Sequence, residues 1–178
     1  MSRYSQRTLV NQKVSQFGKA GAPEMITKVD VFTATNLSYT VPAGVTYMVA
    51  YIRGGGGGTS RSANAGAGGN SSVAFAGGTI TATGGNKADQ NGNFNYLMVN
   101  VAGVANSGLG AWRSGHSDPS ANAGGQSVDA GDGGYIVAGG AVTAGATLAV
   151  TVGAGGVAGT DGGAGGSGYV YLEYQVKA

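Results

Sequence analysis

The only histidine of the chain, His116, lies in the stretch GAWRSGHSDPS, with Ser114 two residues before it and Asp118 two residues after. These are the residue types of a nucleophile, a general base and the carboxylate that orients it. Such a set works only when a rigid strand–turn–helix scaffold presents the hydroxyl. Here all three sit close together in a glycine-rich stretch, so no catalytic residue is expected. The neighbouring Trp112 and Arg113, together with His116, are types that dominate contact surfaces. They are the first candidates for touching a receptor or partner, with Trp112 alternatively plugging the base of a loop. A second candidate contact is Asn93, Phe94 and Tyr96, in the polar stretch GNKADQNGNFNY.

Other patterns are weaker still as chemistry. Asp129, Asp132 and Asp161 lack the twelve-residue loop and closing glutamate of a calcium site, and they read as turn residues. The GGGGG run at 54–58 has no following Lys-Ser/Thr and leads into no helix, so it is not a phosphate loop. Cysteine is absent, which excludes disulfides and thiolate metal sites. No cofactor and no metal are expected.

The elements that must position these residues are strands. KVDVFTA alternates, with Val29, Val31 and Thr33 on one face. LSYTVPAGVTYMVAYIRG turns at Pro42–Gly44, and its second half puts Tyr47, Val49 and Tyr51 on one face and Met48, Ala50 and Ile52 on the other. Both faces are apolar, which predicts cover on both sides. Further strands are expected over 71–76, 78–83, 96–104, 134–140, 146–153 and 168–176. The stretches 86–95 and 106–123 are expected as exposed loops. After residue 30 no long helical period occurs, so the body (29–178) is expected to be an all-β domain.

Glycine is concentrated in that body. Of 37 glycines, 34 lie after residue 53, and glycine holds every third place from 153 to 168. Positions 54, 57, 60, 63, 66 and 69 are all small, while the same frame is broken in 125–140. Proline is too scarce for collagen. Glycine at every third place suits extended helices of three residues per turn, whose bare face lets another backbone approach and hydrogen-bond. This is polyglycine II packing, and irregular loops are the alternative.

Residues 1–28 differ in kind. Five basic residues stand against one acid, a net +4, while the rest of the chain carries five basic and seven acidic residues, a net −2. Val10, Val14 and Phe17 share one face of a short helix that Thr8 caps and Gly18 ends. This arm, with Arg3 and Arg7 at its start, is expected to dock on an acidic partner surface. It has too few charges and no interleaved aromatics for nucleic acid. No stretch is apolar enough to span a bilayer or to form a secretory signal, which predicts synthesis and folding in a cytoplasm, or delivery by something other than a signal of its own.

The stretches YTVPAGVTYMVAYIRGGGGG, GYIVAGGAVTAGATLAVTVGAGG and GGSGYVYLEY, in that order, resemble the glycine-rich domain of bacteriophage tail and fibre proteins. The likeness covers residues 37–58 and 134–174. In style the chain is also similar to the distal tail-fibre adhesins of T-even phages, though its glycine tracts are fewer and no long attachment domain precedes them. The resemblance implies a glycine-rich β-sandwich or jelly roll with polyglycine II-type segments. It implies a virion protein of the tail fibre, tail tip or baseplate, made in the host cytoplasm. Its partners would be other virion proteins, further copies of itself as a homotrimer, and a host cell-surface receptor met by exposed loops. A capsid decoration protein and an ice-binding protein built from Gly-X-Y helices are the alternatives.

Overall fold

The β-branched and aromatic runs form strands, as their alternation dictates. The computed structural model describes residues 23–60, 64–89, 97–101, 103, 105–116, 127–160 and 162–178. Among them the chain is all-β, without an α-helix. In chain order the strands are β1 (Met25–Phe32), β2 (Asn36–Thr40), β3 (Tyr47–Arg53), β4 (Thr59–Ser60), β5 (Ser71–Phe75), β6 (Gly78–Ala82) and β7 (Ala88–Asp89). There follow β8 (Leu97–Val101), β9 (Trp112–His116), β10 (Ser127–Asp129), β11 (Tyr135–Ala141), β12 (Thr147–Thr151) and β13 (Tyr169–Lys177).

Two antiparallel four-stranded sheets, ordered β1-β13-β3-β11 and β2-β12-β5-β6, pack as a sandwich. β1 begins at Met25, so the last four residues assigned from sequence to the arm belong to the body. The expected turn at Pro42–Gly44 is present: Val45 N–H donates to the Pro42 carbonyl at 3.2 Å, and Gly44 takes a φ of 79°, where a side chain would be strained.

The core lies between the two sheets. Met48, Ala50 and Ile52 of β3 and Val170 and Leu172 of β13 meet Val73 of β5 and Val150 of β12, all at 0 % exposure. The opposite face of β3 differs from expectation. No element among the described residues covers it, and Tyr47 is 56 % exposed.

A polar knot ties the sheets together at one edge. Asp30 of β1 accepts from the Tyr39 hydroxyl of β2 at 2.6 Å and from the Tyr174 hydroxyl of β13 at 3.0 Å. Phe32 packs edge-on against the Tyr39 ring, centroids 5.3 Å apart. Burial first, then the hydrogen bond to Asp30 and its charge, push the Tyr39 hydroxyl far above its ordinary value of 10.0, and burial with the same carboxylate raises Tyr174. Each phenol therefore keeps its proton in the folded protein at a pH where the unfolded chain has lost it. Their contribution is complete below about pH 10 and declines as pH rises past it. Urea midpoints are expected to hold steady from about pH 7 to about pH 9 and to fall above about pH 10, with a shallower fall in Tyr39→Phe. An equal fall in that variant would exclude Tyr39 as a source.

Candidate contact site

The strands do not stop at the edge of the sandwich. β3, β6 and β12 run out of it into glycine-rich segments, and β5, β11 and β13 are entered from such segments. The segment 54–59, which continues β3, shows how they pack. Its N–H groups are shared among three neighbours in strict rotation. Gly54 and Gly57 donate to Gly134 and Gly131, Gly55 and Gly58 to Gly69 and Gly66, and Gly56 and Thr59 to Gly166 and Gly163, at 2.8–3.0 Å. The partner recurs every third residue, which is the period of an extended helix with three residues per turn.

Its carbonyls serve three further segments. Gly55 and Gly58 accept from Gly85 and Ala88, Gly56 and Thr59 from Gly156 and Gly159, and Gly57 from Ala111. The six neighbours also bond to one another in a closed ring. Segment 131–134 bonds to 83–86, which bonds to 66–69, then 154–157, then 165–168, then 108–111, and so back to 130–133. Six helices thus surround one, all joined by main-chain hydrogen bonds, so the buried backbone groups are paired without a side-chain core.

This packing explains two kinds of glycine tract. The central segment has neighbours on every side, and residues 54–60 are all buried, so each of its first five positions is glycine. An outer segment is enclosed on one side only. Gly153 and Gly156 are buried while Ala154, Val157 and Thr160 are exposed, so side chains are carried at the outward places, and glycine is also required where two outer segments touch, as at Gly155 against Gly165. The sequence missed three outer segments, 85–88, 108–111 and 131–134. Each is too short to display a period; 108–111 falls inside a stretch read as a loop and 85–88 overlaps another.

A few side chains lock the assembly. The Ser71 hydroxyl donates to the Arg53 carbonyl at 2.6 Å and accepts from Gly153 N–H at 2.9 Å, where strands hand over to glycine helices. Thr59 Oγ1 accepts from Gly163 N–H at 2.9 Å. Asp132, read from sequence as a turn residue, instead accepts from Gly110 N–H at 2.7 Å and pairs with Arg53 at 3.2 Å. Sequence gave no signal for these roles, because each depends on a backbone group far away in the chain.

The bundle gives the molecule two distinct ends. Segment 108–111 is antiparallel to 163–168, which is itself antiparallel to 54–59; it therefore runs away from the sandwich. β9 follows it directly and lies between β8 and β10 in a three-stranded antiparallel sheet, beyond the far end of the bundle. Met25 pairs with Lys177 at the opposite end, while Phe32 pairs with Val170 beside the bundle. Residue 23, where the described chain begins, is therefore at the sandwich end.

The predicted contact residues are redistributed by this arrangement. Trp112, Arg113 and His116 belong to strand β9, not to a loop. Trp112 and His116 occupy positions on one face of the three-stranded sheet, opposite Val101 and Leu97, and Arg113 occupies the other face, opposite Asn100. Ser114 and His116 share a face in this strand; Asp118 lies outside the described residues. So do Asn93, Phe94 and Tyr96, whose stretch leads into β8, and the arm residues Arg3, Arg7, Val10, Val14 and Phe17. Among the described residues no cluster of three His, Cys, Asp or Glu could hold a metal ion, and no helix is long and apolar enough to cross a membrane. No protein-family model, curated protein or solved structure matches this chain.

Proposed function

We propose that the protein is a structural module of a bacteriophage virion, placed in the tail fibre, tail tip or baseplate. Its basic arm docks on other virion proteins, and its three-stranded tip faces outward toward the host receptor. One observation carries this reading: residue 23, which follows the arm, and the β8–β10 sheet lie at opposite ends of the sandwich and the main-chain-bonded bundle that continues it. A docking segment at one end, a stiff spacer and a display surface at the other suit an appendage. The central segment of six residues extends the sandwich by about 19 Å at about 3.1 Å per residue. The likeness in sequence to glycine-rich tail and fibre domains supports the same reading. No reaction is assigned.

The protein is expected in purified phage particles, labelled by antibody at the tail; its absence from particles would overturn the proposal. Particles carrying Arg113→Ala together with His116→Ala are expected to bind cells roughly tenfold more weakly, the loss of one contact worth about 1.4 kcal/mol. Unchanged adsorption by particles that contain the variant would remove the receptor role and leave the scaffold. Thermal hysteresis in the purified protein, with no particle association, would favour the ice-binding alternative.

A further inference from the structure

Among the described residues, the sandwich buries one face of its first sheet and leaves the other open. That open face is apolar and aromatic. Val31, Tyr171, Tyr51 and Val137 stand side by side across all four strands in one register row. Tyr135 and Val137 on β11 are 50 % and 49 % exposed, and Val31 on β1 is 59 % exposed. Tyr169 and Tyr171 stack with centroids 4.7 Å apart. Glu173, in the next row of the same face between Val29 and Val49, is already engaged by the Tyr51 hydroxyl at 3.5 Å. The face is also flat near β11, where the Tyr47 ring lies over Gly139 and leaves no room for a Cβ there.

We infer that this face is the contact between copies of the chain. Its makeup is that of an interface centre, rich in tyrosine and poor in charge. A flat sheet face stacks readily on another at about 10 Å separation. Its footprint also fits. Four strands at about 4.8 Å and seven residues at about 3.4 Å give about 450 Å² in projection. Two such faces together approach the roughly 1,000 Å² that a specific interface needs, and upright tyrosine rings add to the projected area. The cationic arm is the poorer occupant, because this face carries Arg53 and Lys177 along with its one engaged carboxylate and so offers a basic segment little charge complementarity. A second copy brings matching tyrosines, whose hydroxyls donate and accept alike. The expected cover on both faces of β3 is then supplied between chains.

The inference is independent of the virion assignment and is tested on the isolated full-length protein. Sedimentation equilibrium at micromolar concentration is expected to give a multiple of the protomer mass. Val137→Lys and Tyr171→Glu, both on the open face, are expected to give the protomer mass with an unchanged circular dichroism spectrum. Leu37→Lys, at a 64 % exposed position on the second sheet, is expected to leave the assembly intact. A monomeric parent protein, an assembly that survives both open-face substitutions, or one that Leu37→Lys also dissolves would overturn the inference.

Discussion

Gly56→Ala is expected to destabilise the protein by at least about 3 kcal/mol, the upper part of the range for overpacked interiors. The added methyl would overlap the Leu109 carbonyl carbon and oxygen and press on Gly110 N at 2.6 Å. All three are backbone atoms, so no rotamer change relieves the clash. Moving segment 108–111 aside would break the bonds from Ala111 N–H to Gly57 and from Gly166 N–H to Leu109. For a chain of this length, about 3 kcal/mol lowers the melting temperature by about 6–12 °C. Gly77→Ala is the matched control. A Cβ at Gly77 meets nothing within 4 Å, so the change is expected to stay within about 0.5 kcal/mol. Equal melting temperatures for the two variants would mean that the central segment is not enclosed.

Leu172→Ala is expected to cost about 2–5 kcal/mol, the range for deleting a fully buried leucine side chain. Leu172 is at 0 % exposure on the inner face of β13, within the same cluster as Met48, Ile52 and Val150. The instructive result is the shape of the transition. β3 and β13 lie side by side in the sandwich and run without a break into segments 54–59 and 163–168, which bond to each other in the bundle. One strand therefore cannot shift without disturbing both halves. Leu172→Ala and Gly56→Ala are each expected to move a single calorimetric peak. Two separate peaks in either variant would show that sandwich and bundle melt independently.

These two positions also mark how far the sequence could be read. Leu172 sits in GYVYLEYQV, where alternation alone assigns a strand and nominates its inner face. Hydrophobic period is a local property, and the main strands of the sandwich were legible for that reason. The three-residue glycine period at 153–168 was legible for the same reason, but not that the tract turns back at Gly159–Gly162 and forms two antiparallel segments that bond to each other. Gly56 illustrates what was hidden. Nothing around it says that Leu109 lies against it, because the bundle is assembled from main-chain bonds that carry no side-chain signature. Trp112 and His116 were misplaced in a loop because the glycines flanking them look like slack. In the structure the preceding tract is a bundle helix and the residues themselves form a strand. Asp132 looked like a turn aspartate because its partners, Gly110 and Arg53, are remote in the chain.

The ring of six segments around 54–59 has a thermodynamic corollary. Melting this part of the molecule hydrates amide groups and very little hydrocarbon. Exposing polar surface lowers the heat capacity and exposing apolar surface raises it. The bundle therefore dilutes the heat-capacity increment contributed by the sandwich, and the stability curve is broader than that of an oil-cored domain of equal length. Cooling weakens apolar burial, but it has little purchase on a rod held together by peptide groups.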